Sequence, residues 1–206
     1  MLVGTRMTYP VITVGPRTSL ESALDLIHKE SIHSLPVVDR QTRLLGIISI
    51  EKIESILHEK QKVQTPENIL YVEDYMDRDV LTVTENTPIE EAARIISDYN
   101  VRMLPVLRGS FVVGIITETT IFRIFLELTG ARSQGVRVTF LVEDKPGRFL
   151  QILQKIADLN GNVETFYTYC ADEKGYKMYT LKISGIDKYT LKQAITPLAS
   201  NLTDIR

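Results

Sequence analysis

The sequence predicts an α+β protein in which one unit occurs twice and a third unit of different pattern follows. The two copies share a Leu-Pro-Val run followed by a Gly-Ile-Ile run, at residues 35–38 and 46–49 in the first and at 104–107 and 114–117 in the second. Upstream positions match at a constant shift of 69 residues, namely Met7 with Met76, Thr13 with Thr82, Thr18 with Thr87 and Glu21 with Glu90. A shift that holds over about 40 residues indicates an internal duplication.

Each copy begins with a β-prone run and an amphipathic helix. Residues 10–14 and 80–83 are rich in β-branched side chains and predict short strands. Thr18 and Thr87 each stand three residues before a glutamate. This spacing fits a capping box, in which the hydroxyl and the carboxylate satisfy free N–H groups of the first helical turn. Apolar residues at helical spacing follow both boxes and predict one buried face per helix.

A hairpin and a second helix complete each copy. The Leu-Pro-Val and Gly-Ile-Ile runs have the length of strands, and polar turn residues separate them. Second helices are predicted at residues 51–59 and 119–128, and the latter is apolar on more than one face. The polar stretch at residues 58–68, which contains Pro66, predicts a linker between the copies.

The remainder of the chain predicts the order β-α-β-β-α with a short final strand. Apolar residues alternate along residues 136–143, which is typical of a half-buried strand. The further elements are helices at residues 149–159 and 189–198, strands at 163–170 and 176–184, and a last strand at 202–206. This order matches the ferredoxin-like split βαβ arrangement.

Composition argues against several function classes. Hydrophobic residues make up 44% and charged residues 24%, as in globular proteins, and the net charge of −2 provides no basic surface for nucleic acid. No apolar run approaches the roughly 20 residues of a membrane helix, and the N-terminus lacks the apolar core of a signal peptide. Cys170 is the single cysteine, so neither a disulfide framework nor a zinc cluster is expected. We expect a cytoplasmic protein.

The duplicated unit resembles the CBS domain, which normally occurs as an intramolecular pair called a Bateman module. The resemblance covers residues 1 to 128 and rests on the start of each copy, the two Leu-Pro-Val runs and the two Gly-Ile-Ile runs. It implies a first CBS domain at residues 1–60, a linker at 61–69 and a second CBS domain at 70–130.

The tail resembles an ACT domain, a small regulatory fold that binds ligands. Its motif is Asp-Lys-Pro-Gly-Arg-Phe at residues 144–149, with Gly-Asn-Val at 161–163 after the helix. The resemblance implies a linker at residues 131–135 and a ferredoxin-like βαββαβ ACT domain at 136–206. A CBS pair followed by ACT is also the layout of the AcuB-like acetoin-utilisation accessory proteins of bacteria.

The CBS resemblance implies that an adenine nucleotide (AMP, ADP or ATP) binds in a cleft between the two copies. The hydroxyl residue after each Gly-Ile-Ile run begins a helix, whose free N–H groups and dipole suit a phosphate. The residue three before proline can face phosphate in the family, and Arg102 is the stronger candidate because its guanidinium is always charged. The nucleotide-binding candidates are Thr13, His33, Ser49, Lys52, Thr82, Arg102, Thr117 and Thr120.

Two of these positions depart from the family. Many nucleotide-binding members have an acidic residue three after the Ser/Thr, where it accepts hydrogen bonds from the ribose, but this chain has Lys52 and Thr120. Lysine cannot accept a hydrogen bond, so Glu51 would be the substitute acceptor in copy one if the loop shifts, and Lys52 could instead attract a phosphate. Copy two, with Arg102 and Thr120, keeps more of the expected chemistry. The hydroxyl after each Gly-Ile-Ile run also fits a simple helix N-cap that requires no ligand.

The ACT resemblance implies an amino-acid site at an interface between ACT domains. The loop after the first strand is expected to face residues 160–163 of a neighbouring domain, with Asp144 holding the amino group. The candidate residues are Asp144, Gly147, Arg148, Asn160 and Asn162. The alternative is structural, because the same residues fit a turn and a helix stop.

The sequence favours a regulatory protein over an enzyme. It shows no nucleophile with an adjacent base, no paired carboxylates and no metal-ligand spacing, and Cys170 has no histidine near it. The first hypothesis is a non-enzymatic sensor of an adenine nucleotide, and of an amino acid, that regulates a partner protein without a covalent cofactor. The alternative is a dimerising interaction or scaffold protein with degenerate nucleotide sites. A homodimer fits both hypotheses.

Overall fold

The chain folds into two compact units in a computed structural model that describes residues 1–63 and 69–206. The first unit is Met1–Ile121 and the second is Phe122–Arg206. The predicted linker at residues 61–69 is helical at residues 61–63. Residues 64–68 of that linker lie outside the described residues.

The first unit contains the two copies predicted from the repeat. Copy one comprises helix α1 (Leu20–Glu30), strands β1 (Ser34–Val38) and β2 (Leu44–Ser49), and helix α2 (Ile50–Val63). Copy two comprises strand β3 (Val83–Thr84), helix α3 (Ile89–Asp98), strands β4 (Met103–Arg108) and β5 (Phe111–Thr117), and helix α4 (Glu118–Leu128), in which the boundary between the units lies. Strands β1 and β2 pair antiparallel, as do β4 and β5, whereas β3 runs parallel to β4.

The segment that precedes each copy pairs with the other copy. We call these lead segments, and they comprise residues 1–8 and residues 70–77. The backbone N–H of Val72 donates to the Thr18 carbonyl of copy one, and the N–H of Val3 donates to the Thr87 carbonyl of copy two, both at 2.9 Å. Two isolated β-bridges, Thr8 with Ile115 and Ile47 with Asp77, continue this exchange. The two copies are therefore interlocked through their backbones.

The core of copy one includes side chains from the lead segment of copy two. Val72 and Met76 are buried in the same cluster as Leu20, Ile27 and Ile48. Burial of a large apolar side chain contributes about 1.5–3 kcal/mol. Separation of the copies would expose this core, so we expect the pair to fold as one unit.

A glycine in each Gly-Ile-Ile run leaves space for the exchange. A Cβ atom at Gly46 of β2 would lie 2.6 Å from the Asp77 carbonyl oxygen and 2.9 Å from Met76 Sδ. A Cβ atom at Gly114 of β5 would meet the side chain of Met7. The methionine of each lead segment thus packs against the glycine of a second hairpin strand, and this strand belongs to the copy that the segment does not precede.

The helix starts differ from the predicted capping boxes. Ser19, rather than Thr18, caps α1, and its hydroxyl accepts from the Ser22 N–H at 3.1 Å. The Thr18 carbonyl accepts from the lead segment instead, and the helix begins later. In copy two the Thr87 hydroxyl accepts from the Thr84 N–H at 3.0 Å and does not cap α3. The capping-box prediction is wrong in both copies.

The β-prone runs at residues 10–14 and 80–83 form little regular strand. Val14 makes one parallel bridge to Val37, and β3 begins only at Val83. Helix α2 extends to residue 63, beyond the predicted end at 59. These runs are mostly irregular chain, and each joins the edge of its hairpin only at its end, through Val14 in copy one and Val83 in copy two.

The second unit has the predicted βαββαβ order. Its elements are β6 (Val136–Glu143), α5 (Arg148–Asp158), β7 (Asn162–Cys170), β8 (Tyr176–Ser184), α6 (Lys188–Ile195) and β9 (Asn201–Ile205). The sheet order is β7-β8-β6-β9 with antiparallel neighbours throughout, which is the split βαβ arrangement. Helices α5 and α6 cover a core that includes Phe140, Ile152, Ile156, Leu181 and Leu191.

Replacing Gly46 with valine is expected to destabilise the first unit. The added side chain has no room beside the Asp77 carbonyl and Met76, and overpacking of this kind costs about 1–3 kcal/mol. Urea denaturation followed by circular dichroism measures the loss. Gly15→Ala is the matched control, because a Cβ atom there meets nothing within 4 Å. An unchanged midpoint for Gly46→Val would contradict the close packing of the lead segment.

Candidate functional site

A cavity of about 690 Å³ lies in the first unit and is lined by both copies. We call it the cleft. Copy one contributes Ser49, at the end of β2, and Glu51, in the first turn of α2. Copy two contributes Arg102, Asp77 and Asp79. Its volume lies within the 300–1,000 Å³ range of small-molecule sites.

An ion pair joins the two copies across the cleft. Arg102 Nη1 donates to Glu51 Oε1 at 2.5 Å. The two side chains are 57% and 53% exposed, so water screens the pair and it contributes about 1 kcal/mol or less. A ligand that offers the guanidinium a better partner can therefore displace Glu51 at little cost.

Glu51 is ionised at neutral pH. Its own backbone N–H is the largest influence that lowers the pKa of its carboxyl below the ordinary value. The Ser49 hydroxyl and the charges of Arg102 and His33 lower this pKa further, and partial burial opposes them. The cleft thus carries a permanent negative charge beside the N-terminus of α2.

Lys52, which stands where the family has an acid, is also paired. Its ammonium group bonds the carboxylate of Asp77, a residue that lines the cleft. The pair joins helix α2 of copy one to the lead segment of copy two. Lys52 thereby holds Asp77 at the wall of the cleft and is itself committed to that carboxylate.

The structure brings Arg102 to a partner other than the expected one. Its side chain meets Glu51 of copy one, and Ser49 lines the same cavity, whereas the sequence grouped it with Thr120 of copy two. Its backbone carbonyl accepts from the Glu118 N–H at the start of the second helix of its own copy, at 3.1 Å. The nucleotide-binding roles of these residues stay predictions.

Ser49 and Thr117 have the geometry of helix N-caps. The Lys52 N–H points to the Ser49 hydroxyl at 3.4 Å, and the Thr120 N–H donates to the Thr117 hydroxyl at 3.2 Å. The Thr117 and Thr120 hydroxyls also bond one another at 3.0 Å. A capping role for both hydroxyls is therefore present without a ligand.

The other CBS candidates lie near the cleft or at equivalent positions of copy one. Thr82 is half-buried and follows two residues that line the cleft, Val80 and Leu81. Thr13 is half-buried at the matching position of copy one. His33 is exposed, and its carbonyl accepts from the N–H of Ile50 at the start of α2.

Asp77 and Asp79 are cleft residues that the sequence reasoning missed. The internal repeat could not mark them, because copy one has Thr8 and Pro10 at the matching positions. Their only sequence signal is that they directly precede the β-prone run at residues 80–83. Both residues reach the cleft because the lead segment of copy two pairs with β2 at Ile47.

The ACT candidates lie in two places within the second unit. Asp144 is ion-paired with Lys177 at 3.0 Å, near the start of β8. Asn162 is paired in register with Ser184 at the other end of β8, and its amide donates to Glu164 at 2.8 Å. Lys177 and Ser184 are seven residues apart on this strand, about 23 Å at roughly 3.3 Å per residue. One chain therefore does not bring the two groups together.

The remaining ACT candidates occupy special backbone or packing positions. Gly147 has a φ of 81° and Asn160 a φ of 58°, so both adopt the left-handed conformation of turns and helix ends. Arg148 begins α5, and its guanidinium donates to Gln151 at 3.1 Å and to the Leu198 carbonyl at 3.4 Å. The structural alternative accounts for these positions without a ligand.

The described ranges, 1–63 and 69–206, lack the features of two other classes of site. They contain no group of three or more Asp, Glu, His or Cys side chains placed to hold a metal ion. They also contain no helix with the length and apolar character required to cross a bilayer.

Solved structures with the same fold cover the first part of the chain. CBSX2 in complex with AMP is 31% identical, with a TM-score of 0.55, and the alignment covers 61% of this chain and 96% of that one. The CBS domain pair of MJ0100 in complex with 5-methylthioadenosine and S-adenosyl-L-methionine is 30% identical, with a TM-score of 0.55 and coverages of 65% and 98%. An acetoin utilization protein (AcuB) from Vibrio cholerae is 24% identical, with a TM-score of 0.56 and coverages of 64% and 95%, which shows the fold alone.

Two curated relatives that match the chain are much longer proteins. The chain is 33% identical over 125 residues to L-aspartate semialdehyde sulfurtransferase from Methanocaldococcus jannaschii, an alignment that covers 60% of this chain and 23% of that protein. It is 31% identical over 117 residues to the A-adding tRNA nucleotidyltransferase of Geobacter sulfurreducens, with coverages of 57% and 12%. The chain thus spans less than a quarter of the length of these relatives.

The family follows from the duplicated unit. The model of the CBS domain matches residues 3–59 and residues 72–127, one match for each copy. These ranges contain both hairpins, and they include Ser49 of copy one and Arg102 of copy two. Because the two matches together account for more than half of the chain, the protein belongs to the CBS domain family as a tandem CBS pair.

Proposed function

We propose that this protein is a non-enzymatic regulatory sensor that binds an adenine nucleotide in the cleft. The observation that carries the proposal is the convergence of Ser49, at the N-terminus of α2, and Arg102 on one cavity of about 690 Å³. A helix N-terminus and a guanidinium are both suited to a phosphate group. The cavity has the size of a site for a small molecule rather than for a macromolecule.

The neighbouring structures support an adenosine-containing ligand. CBSX2 was solved with AMP, and the MJ0100 pair with 5-methylthioadenosine and S-adenosyl-L-methionine. Both are 30% or more identical to this chain over the tandem CBS pair. We assign the base to the backbone of the irregular run at residues 80–81, which lines the cleft, and the phosphate to Arg102 and the start of α2.

The cleft contains carboxylates that can replace the missing family acid. Lys52 cannot accept a hydrogen bond from a ribose hydroxyl, but Glu51 and Asp79 line the same cavity and can. In this proposal one of these carboxylates accepts from the ribose. The Lys52 departure then changes which residue contacts the sugar and does not remove the contact.

Regulation follows from the construction of the cleft from two copies. Glu51 belongs to copy one and Arg102 to copy two, so a ligand that engages either group changes the interaction between the copies. Such a ligand shifts the population toward the arrangement that it binds more tightly. A regulated partner protein would bind one arrangement of the two copies in preference to the other.

A scaffold protein with degenerate nucleotide sites is the second candidate. Two cation–carboxylate pairs, Arg102 with Glu51 and Lys52 with Asp77, already satisfy the cleft without a ligand. Under this reading the pairs hold the copies together, and dimerisation is the only activity. The two candidates differ in whether any adenosine compound stabilises the protein.

We also propose that the second unit is an ACT domain, which would give this chain the layout of the AcuB-like accessory proteins. The βαββαβ order and the motif at residues 144–149 support this assignment. The two candidate groups lie at opposite ends of β8, so an amino acid could bridge them only at an interface between two ACT domains. The proposal therefore requires a second copy of the chain.

The surface that a homodimer would bury is exposed in the isolated chain. Phe122, Phe125 and Leu128 of helix α4 are each 56–60% exposed, and the two phenyl rings stack at 6.2 Å between centroids. Apolar groups that adjoin on a helix surface and face water favour burial against a partner. We propose that this face of α4 contributes to the homodimer.

Replacing Arg102 with alanine is expected to abolish AMP binding. The variant loses the guanidinium that pairs with the phosphate, and charged hydrogen bonds of this kind contribute about 1.5–3 kcal/mol each. Isothermal titration calorimetry of the full chain with AMP measures the loss. Arg94→Ala is the matched control, because Arg94 is an exposed arginine on α3 that pairs with Glu91 and Asp98 away from the cleft. Equal affinities for both variants would remove Arg102 from the site, and no binding by the native protein would favour the scaffold.

The double substitution Phe122→Ser and Phe125→Ser is expected to convert a dimer to a monomer. Both side chains lose the apolar surface that a partner would bury. Size-exclusion chromatography with light scattering measures the mass. Leu150→Ser, at an equally exposed apolar residue on α5, is the control and should leave the dimer intact. A dimer that survives the double substitution would place the interface elsewhere.

An amino acid that raises the melting temperature of the native protein is expected to lose this effect in Asp144→Asn. The carboxylate is the proposed partner of the amino group, and it is now held by Lys177. A thermal-shift screen of the twenty amino acids measures the effect. Asp25→Asn, at an exposed aspartate on α1, serves as the control. A screen without any stabilising amino acid would count against the ACT ligand.

A further inference from the structure

The charged side chains that line the cleft are predominantly acidic. Glu51, Asp77 and Asp79 carry three carboxylates, and Arg102 carries the only cationic side chain among the described residues that line it. Glu51 is held by Arg102 at 2.5 Å, and Asp77 is held by Lys52 from behind the lining. Asp79 has no hydrogen-bond or ion-pair partner among the described residues. The cleft with its supporting lysine therefore keeps a net negative charge.

A single phosphate fits this arrangement. The Arg102 guanidinium can bind one phosphate through two parallel hydrogen bonds if it leaves Glu51. Glu51 is then released to accept from the ligand or to face water, and it is half-exposed already. The exchange replaces one anionic partner of Arg102 by another, so the charge balance at the guanidinium is preserved.

A second or third phosphate does not fit in the same way. Every added phosphate brings further negative charge into the cleft, but the described lining residues include no cation besides Arg102 to receive it. Lys52 is already engaged by Asp77, and the unpaired carboxylate of Asp79 lines the same cavity. Like charges in a partly solvated cavity repel, and the repulsion grows with each phosphate.

We infer that the cleft selects adenosine compounds whose 5′ substituent carries at most one phosphate, and that it discriminates against ADP and ATP. The inference rests on the proposed function, since it assumes that an adenosine compound binds in this cavity. It narrows that proposal to a ligand class that contains AMP, phosphate-free thioether nucleosides and cationic sulfonium nucleosides.

Uncharged and cationic adenosine ligands avoid the electrostatic repulsion that a phosphate meets in this cleft. A nucleoside without phosphate leaves the Arg102–Glu51 pair intact, so nothing in the cleft has to be displaced. A positive charge on the 5′ substituent is attracted by the free carboxylate of Asp79. Such ligands therefore match the electrostatics of the cleft as the structure shows it.

The test is a calorimetric titration of the full chain with 5′-methylthioadenosine, AMP, ADP and ATP in a buffer without divalent cations. Affinity is expected to fall from AMP to ADP to ATP, with ATP at least about tenfold weaker than AMP. Methylthioadenosine is expected to bind at least as well as AMP. Added salt should reduce the difference between AMP and ATP, because salt screens the repulsion.

Neutralising substitutions test the cause of the discrimination. Asp79→Asn is expected to raise the affinity for ATP by about threefold to tenfold while the affinity for methylthioadenosine changes less. Glu51→Gln frees Arg102 while its amide oxygen can still accept from a ribose hydroxyl, so it is expected to raise the affinity for AMP. Glu54→Gln is the matched control, because Glu54 is an exposed glutamate on the same helix that does not line the cleft. It should leave all four affinities unchanged.

The outcomes separate the two proposals. If methylthioadenosine and AMP bind but ATP binds equally well or better, the charge selection is wrong and the nucleotide-sensing function stands. If selection is observed but Asp79→Asn and Glu51→Gln leave it unchanged, the lining carboxylates are not its cause and the inference is overturned. If no adenosine compound binds at millimolar concentration, the proposed function fails and the inference fails with it.

Discussion

The exchange of lead segments between the two CBS copies is the constraint on which the first unit depends. Backbone hydrogen bonds from Val72 to copy one and from Val3 to copy two join each segment to the copy that it does not precede. The glycines of β2 and β5 permit the contact, since a Cβ atom at either would collide with a methionine. The core of copy one is thus completed by chain from outside its own copy, which explains why this copy alone is not expected to be stable.

The same exchange determines the chemistry of the cleft. Because the lead segment of copy two pairs with β2 at Ile47, Asp77 and Asp79 arrive beside the start of α2. Lys52 then binds Asp77, and Arg102 reaches across to Glu51. The acid that the family places three residues after the serine is absent, yet the cleft is rich in carboxylates from other elements. Its electrostatic character therefore arises from the contact between the copies and not from one motif.

The core of the second unit is built differently from the core of copy one. Its sheet and helices enclose a core of side chains that come from this unit alone, including Phe140, Ile152 and Leu181. Its candidate ligand groups, by contrast, lie at opposite ends of β8 and need a second domain to meet. Together with the exposed phenylalanines of α4, this separation makes the homodimer the form in which we expect both proposed sites to operate.

Local pattern alone determined most of the elements. Alternation predicted β6 at residues 136–143 and a hairpin pattern predicted β8 at residues 176–184, both with the observed bounds, and the repeat predicted the tandem CBS pair. Alternation succeeds for β6 because every second side chain, at Val138, Phe140 and Val142, faces the core. Tertiary structure alone decided that Ser19 replaces Thr18 as the cap, that Arg102 meets Glu51, and that Asp77 enters the cleft. These outcomes depend on contacts between segments about 50 residues apart or on backbone groups already used by the lead segment, and no local pattern records such contacts.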